Sequence, residues 1–221
     1  MRLKEITVDI VVFAVIEGSL RFLGIKRKYP PYKNEWALPG GFVLEDETLE
    51  AAAARELSEE TGVANVYLEQ LYTFSEPKRD PRRRIISVAY LALIDASRTT
   101  LAATTDAIDA KWLSVKNSRG LAFDHNKILR YAVQRLRYKL EYTTIGVELL
   151  PEEFTLRNLQ ELYETILDRS IDGPNFRKKI LSLGVLAPTG RKQREGSYRP
   201  AALYRLTRKG ELFPRSIISS G

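Results

Sequence analysis

Glu56, Glu59 and Glu60 stand at i, i+3 and i+4 within Arg55-Glu56-Leu57-Ser58-Glu59-Glu60-Thr61-Gly62-Val63. On a helix of about 3.6 residues per turn, such spacing projects three carboxylates from one arc of the surface. Like charges that close repel, so the cluster is unfavourable unless water screens it or cations sit in it. Hard cations such as Mg²⁺ take oxygen ligands of this kind. Arg55 lies four residues before Glu59, within side-chain reach, and can hold that carboxylate in orientation. Upstream, Gly40-Gly41 lets backbone approach a ligand closely, and Gly62 suits the left-handed position that ends a helix. Alone, a Glu-x-x-Glu-Glu face is ordinarily just solvated. The wider frame of residues around it is what points to chemistry.

The elements that must hold this cluster can be read outward from it. Thr48 is an N-cap candidate for a helix reaching Thr61. Before it, Val8–Ile16 is rich in β-branched residues, ends at Glu17-Gly18, and is followed by the strand-like Leu20–Lys26, which together predict a hairpin. Lys28–Asn34 is a loop by its prolines, and Trp36–Leu38 restarts a strand ahead of the glycines. Further strands are expected at Val66–Phe74, Arg84–Ile94 and Ala110–Val115, so the acidic helix packs among strands in a mixed α/β sandwich. Ala122-Phe123-Asp124-His125 opens a second helix running to about Tyr142, with Ile128, Tyr131, Ala132, Arg135 and Leu136 at helical spacing. His125, the sole histidine, is expected to cap that helix or face water.

A chain of 221 residues is long for one ordinary domain and comfortable for two. With no cysteine there is no disulfide scaffold or thiolate metal site, and a single histidine argues against zinc or a His/Cys nucleophile system. The longest apolar run, Ile10–Ile16, is strand-sized, and the first residues lack the basic-then-apolar order of a signal peptide. The expectation is a cytoplasmic protein with no membrane segment. The net charge of +7 is uneven: from Gly173 onward eleven Lys/Arg face Glu195 and Glu211, a net of +9, leaving −2 for the preceding residues. All of the excess is C-terminal, which is the electrostatic footprint of a polyanion-binding segment.

That segment has its own pattern. Thr155 can cap a helix through Leu167 with apolar positions Leu156, Leu159, Leu162, Tyr163 and Ile166. After a turn at Asp168–Gly173, Pro174 fits the first turn of a second helix, Pro174–Leu183. It presents Asn175, Arg177, Lys178 and Lys179 around a core side of Phe176, Ile180 and Leu181. Leu186–Thr189 and Ala202–Leu206 read as two strands joined by a basic, glycine-bounded tip that carries Arg191, Lys192, Arg194 and Arg199. Helix, turn, helix and basic hairpin suggest a winged helix, whose second helix and hairpin tip meet groove and phosphate.

Gly41, Glu47 and the run Arg55–Val63 resemble the Nudix box, matching all nine of its specified positions. The order Nudix domain, linker helix and winged helix then resembles the NrtR family, Nudix-related transcriptional regulators of NAD metabolism. That resemblance is strongest in Leu149–Leu156, Leu159–Glu164, Asn175–Ile180 and Arg199–Arg205. Arg79–Arg84 and Ser87–Leu91 also resemble a segment shared with ADP-ribose pyrophosphatases. The implied fold class is α/β: a Nudix mixed-sheet α/β/α sandwich over residues 1–145, with a linker helix at about 123–142, followed by a winged helix-turn-helix domain over 146–221. The resemblance implies a homodimer that binds ADP-ribose or a similar metabolite and a palindromic double-stranded DNA operator. Related regulators respond instead to a sugar.

By the same resemblance Glu56 and Glu60 would ligate Mg²⁺ (or Mn²⁺), Glu59 would share a second ion, and the Gly40 or Gly41 carbonyl would complete the shell, with Arg55 completing the catalytic set. Glu47 supports the junction of loop and helix. Arg79, Arg82 or Arg84 could meet the diphosphate or terminal ribose, although consecutive arginines are often a solvated edge. Trp36, Tyr32 and Phe74 could stack on adenine, or simply pack in the core. Members of this family often carry a degraded box and bind their ligand without cleaving it. Here Arg55, Glu56, Glu59 and Glu60 are all present, so loss of activity is not carried over. Three readings stay open: a regulator that still hydrolyses its ligand, a silent sensor-repressor, and a pyrophosphohydrolase whose C-terminal domain serves assembly.

Overall fold

The structure is a computed structural model that describes residues 2–98, 107–194 and 200–207. In chain order its strands and helices begin with β1 (Arg2–Ile16), β2 (Ser19–Arg27), β3 (Trp36–Ala37), β4 (Gly40–Leu44) and α1 (Leu49–Thr61). Then come β5 (Tyr67–Phe74), β6 (Ile86–Leu93), β7 (Ala107–Ser114) and α2 (His125–Tyr142). After a short 3₁₀ turn at Ile145–Leu149 follow β8 (Phe154–Thr155), α3 (Leu156–Leu167), α4 (Gly173–Ser182), β9 (Leu186–Gln193) and β10 (Ala201–Leu206). The chain divides into two compact units, residues 1–14 with 20–134, and residues 15–19 with 135 onward.

In the first unit the described strands form one mixed sheet in the order β3-β2-β1-β6-β5, with β4 also pairing β1 and β7 pairing β2. β1 and β6 run parallel from Ile6↔Ile86 to Phe13↔Leu93, and the other registered pairs are antiparallel. These two strands are the centre of the core. Every residue from Val8 to Ala14 is buried, as is Ser87 to Leu93, which is what a strand covered on both faces requires and why both read as apolar runs without alternation. Helix α1 packs against β4, β5 and β7 through a side that buries Ala52, Ala53 and Leu57. Helix α2 buries Ile128, Leu129 and Ala132 in this unit, and Leu136 and Leu140 beyond residue 134 in the second. Tyr131, expected on the apolar side, is partly exposed and lies 5.0 Å from the Tyr72 ring.

In the second unit, β8, β10 and β9 form a small antiparallel sheet in that order. Helix α3 opens with a reciprocal cap: Thr155 Oγ1 accepts the Asn158 N–H at 3.0 Å, and Asn158 Oδ1 accepts the Thr155 N–H at 3.0 Å. Asp172 caps α4, with Pro174 in its first turn. Phe154, Leu159, Leu162, Tyr163, Ile166, Phe176 and Ile180 are buried here, and the Tyr163 and Phe176 rings are 5.2 Å apart. Leu181 is a correction to the expected core side, because it is 43 % exposed one position past the buried Ile180. None of the described helices is long and apolar enough to cross a membrane.

Candidate functional site

Helix α1 forms where its caps dictate. Thr48 Oγ1 accepts the Ala51 N–H at 3.2 Å, and Gly62, in the left-handed region at φ 74°, donates its N–H to Ser58 O at 2.9 Å. This span brings Glu56 and Glu60 to the Gly40-Gly41 segment, and Arg55 ties Glu56 and Glu59 to Glu47. Its Nε and Nη2 clamp the two Glu47 oxygens at 2.9 and 2.6 Å, and its Nη1 donates to Glu56 at 2.8 Å and Glu59 at 3.1 Å. Nη2 also donates to the Phe42 carbonyl at 3.2 Å, tying the helix to β4. The Glu47 carboxylate, followed by Glu56 and Glu59, holds the guanidinium pKa above its ordinary value. Glu47 is lowered in turn, first by Arg55 and also by the Leu44 N–H at 2.8 Å.

The glycines are needed for close approach. Gly40 and Gly41 pair with Asp9 and Val8 of β1. Gly40 has φ 155°, and a Cβ there would meet Val8 O at 2.1 Å. A Cβ on Gly41 would meet Glu56 Oε1 at 2.3 Å, so the carboxylate lies directly on that backbone. Glu60 is buried and its Oε2 accepts the Gly40 N–H at 2.8 Å, whereas the Glu59 side chain is 52 % exposed. The oxygen-only donor set fits a hard divalent cation. Among the described residues, however, no three acidic or histidine side chains converge closely enough to enclose a metal ion. The physical reason is visible: Arg55 engages Glu56 and Glu59 while Glu60 is turned to Gly40, so a cation would have to re-aim these groups.

The arginines expected at a ligand separate into different roles. Arg79 is a correction: its side chain is 3 % exposed and bound to Asp9 at 2.9 Å and Asp124 at 2.8 Å, so in this arrangement it is internal and not presented to a diphosphate. Arg82 is held on Asp80 by Nε at 3.0 Å and Nη2 at 2.7 Å, with its guanidinium 5.5 Å from the Phe42 ring and 5.7 Å from Phe123. Arg84 is exposed. Trp36 is half-buried in β3, with Lys111 Nζ 5.8 Å from its ring. Phe74 is buried against Tyr72 and Tyr131 and belongs to the core. Tyr32 is open and meets Phe123 edge-on at 4.8 Å.

Sequence reasoning missed Arg27, Phe42 and Phe123. The Arg27 guanidinium lies 4.8 Å from the Phe123 ring, and its Nε donates to Pro31 O at 2.9 Å. Burial, then the neighbouring Arg82 charge, lowers its pKa from the ordinary value. Tyr32 and Phe123 both sit in the left-handed region, at φ 60° and 54°, which is uncommon for aromatic residues and marks a strained, over-determined spot. No local pattern announces it, since these residues come from separate loops. His125 is also corrected: it is buried, with its ring bonded to backbone, and neither caps α2 by exposure nor faces water.

In the second unit Asn175, Arg177 and Lys178 of α4 are exposed and Lys179 is half-buried. Arg191, Lys192 and Arg194 at the end of β9 are exposed, with Arg191 Nη2 paired to Glu153. Arg199 lies outside the described residues. Among the described residues, Arg177, Lys178, Lys192 and Arg194 have no ion-pair partner.

Two domain families match the chain: the NUDIX domain over residues 6–136 and the NrtR DNA-binding winged helix domain over residues 146–206. A relative from Acinetobacter baylyi, the ADPR responsive transcriptional repressor NtrR, is 39% identical over 203 residues, covering 90% of this chain and 80% of the relative. The ADP-ribose pyrophosphatase of Methanocaldococcus jannaschii is 41% identical over 121 residues, covering 55% of this chain and 70% of that protein. Shewanella oneidensis NrtR, solved with a 27mer DNA, superposes with a TM-score of 0.83 at 35% identity over 96% of this chain and 98% of that one. The NUDIX domain of the same protein, solved with ADP ribose, gives a TM-score of 0.57 at 35% identity over 62% of this chain and 90% of that one. With the box intact on α1 and a winged helix after it, the chain belongs to the NrtR family of Nudix-related transcriptional regulators.

Proposed function

We propose that the chain is an ADP-ribose-responsive, DNA-binding transcriptional repressor of the cytoplasm whose Nudix unit also hydrolyses ADP-ribose. The observation that carries this reading is the complete carboxylate set on α1, with Arg55 on Glu56 and Glu59, in a chain where, among the described residues, Arg177 and Lys178 of α4 and Lys192 of β9 are exposed without an ion pair. Hydrolysis would release AMP and ribose 5-phosphate from the diphosphate. Glu56 and Glu60, with Glu59 and the Gly40 or Gly41 carbonyl, would hold Mg²⁺ or Mn²⁺, which supplies neutralisation of the diphosphate charge. The chain's own part is positional. Arg55 fixes the helix face to Glu47 and β4, Gly40 and Gly41 admit the backbone, and Arg27 and Arg82 beside Phe123 offer cations and a flat ring to a nucleoside diphosphate.

On the DNA side, α4 with Asn175, Arg177, Lys178 and Lys179 would enter the major groove. Arg191, Lys192, Arg194 and Arg199 of the wing would meet phosphates. A homodimer would present two such helices to a palindromic operator. The test is a mobility shift on duplex DNA from upstream of the protein's own gene, with added ADP-ribose weakening the complex. Complexes insensitive to ADP-ribose contradict the sensing role.

A second reading has one observation in its favour: Arg55 already donates to both Glu56 and Glu59. In that reading the carboxylates hold ligand without turnover. Mg²⁺-dependent AMP release from ADP-ribose separates the two, its absence favouring the silent sensor.

A further inference from the structure

The first unit contains a buried polar cluster that the carboxylate site does not use. His125, the first residue of α2, is 3 % exposed, and its Nδ1 accepts the Leu38 N–H at 2.9 Å. That bond leaves Nδ1 without a hydrogen and puts the ring proton on Nε2, which faces Asp9 Oδ1 at 3.3 Å. Asp9 Oδ2 accepts from Ser87 Oγ at 2.5 Å and from Arg79 Nη2 at 2.9 Å. Arg79 reaches onward to Asp124, with Nη2 to Oδ1 at 2.8 Å and Nε to Oδ2 at 3.2 Å. The two residues at the start of α2, Asp124 and His125, are thus both bound to Asp9, one through Arg79 and one directly.

The same cluster reaches the carboxylate site through the backbone. Asp9 is the strand partner of Gly40, whose N–H donates to Glu60, and Leu38 lies two residues before Gly40. Between them the Pro39 carbonyl accepts the Ile10 N–H at 2.8 Å. A helix start ordinarily needs only a capping side chain. Here it has an ion pair and a ring on buried ground, where separating one partner from the others leaves an uncompensated buried charge. If the Leu38–Gly40 segment shifts, the Leu38 N–H must either take His125 with it or remain buried without an acceptor, and Asp9 and Arg79 face the same choice. Discrete alternatives of this kind transmit a displacement instead of absorbing it.

We propose that His125, with Asp9, Arg79 and Asp124, is a positioning latch that makes the start of α2 follow the Leu38–Gly40 segment. Occupancy of the carboxylate site is thereby felt by α2, a helix that begins in the first unit and ends in the second. The latch rests on the ADP-ribose-sensing reading and names how that site reports its state.

Hydrogen–deuterium exchange of the full chain, with and without α,β-methylene ADP-ribose and Mg²⁺, tests it. In the wild type the probe changes exchange in residues 36–44 and in the first turns of α2, the latter by about tenfold, toward the low end for coupled sites. His125→Phe keeps the response of residues 36–44 but reduces that of α2 to less than about twofold. His125→Asn, with an acceptor near the place of Nδ1, restores most of it. Asp124→Asn, which weakens the outer pair of Arg79 at a less buried position, lowers the α2 response on its own and decides the matter if His125→Phe does not fold. An α2 response unchanged in Asp124→Asn and in a folded His125→Phe overturns the latch. No response anywhere in the wild type overturns the sensing reading, and the latch with it.

Discussion

The carboxylate face of α1 and the basic face of α4 and β9 solve opposite problems. On α1 the charge is satisfied from within: Arg55 meets Glu47, Glu56 and Glu59, and Glu60 accepts from Gly40. On α4 and β9, among the described residues, Arg177, Lys178, Lys192 and Arg194 have no ion pair, and their charges face water. An internally satisfied cluster holds a fixed geometry that a small, highly charged ligand must re-aim, atom by atom. Unpaired surface cations hold no geometry and gain energy only when a polyanion releases its counterions to them. The first region should therefore be sensitive to atomic substitutions, and the second to charge and salt.

The largest effect is expected on α1. Glu60→Gln removes one buried charge but keeps an acceptor for Gly40, so the fold stays while Mg²⁺-dependent AMP release falls by about a hundredfold or more, consistent with losing several kcal/mol of charge stabilisation. Turnover assays on purified protein check it, and undiminished turnover would remove Glu60 from the site. Next, Gly40→Ala forces a Cβ to within 2.1 Å of Val8 O at φ 155° and should cost about 2 kcal/mol or more in urea melts. A neutral result there means the segment is looser than its register implies.

On the basic face, Arg177→Ala should weaken DNA binding by about 1–3 kcal/mol, and Lys192→Ala should flatten the salt dependence by about one unit of slope. Affinities unmoved by both substitutions would place the contact elsewhere. The smallest effect is in acid. Burial by itself would raise the Asp9 carboxyl, but His125, Arg79 and Ser87 together bring it well below the usual carboxylate range. Glu47 is also lowered, by Arg55 first. For a group depressed on folding, the unfolded chain binds the proton more readily. The stabilisation is therefore present above the unfolded value, near 3.9 for Asp and 4.3 for Glu, and is lost as pH falls below it. Melting followed from pH 7 to 2 should show that loss, and replacing Arg79 by Leu should blunt it.

The parts of this molecule that were legible in its sequence are those whose causes are local. Thr48, Gly62 and Thr155 act within four residues of themselves, so both helix bounds of α1 and the start of α3 followed from spacing alone. The carboxylate cluster was legible for the same reason. What escaped lies in pairs distant along the chain: His125 meets a backbone group 87 residues away, and Arg79 meets Asp9 at a separation of 70 and Asp124 at 45. Arginine type and position alone could not tell buried Arg79 from Arg82, because the difference is made by Asp9 and Asp124 arriving from β1 and the start of α2. Arg27 and Phe123 were hidden likewise, being joined only when the sheet brings β2 beside the segment before α2.

If the Nudix site governs the hold of the winged helix on DNA, ligand at one region must change affinity at the other. The deciding measurement is a mobility shift of the protein on duplex DNA from upstream of its own gene, titrated with ADP-ribose in Mg²⁺ while the ligand is recovered and checked for AMP. Coupling gives a specific complex that ADP-ribose dissolves and that re-forms as AMP accumulates. A complex equally stable at every ADP-ribose concentration would contradict it.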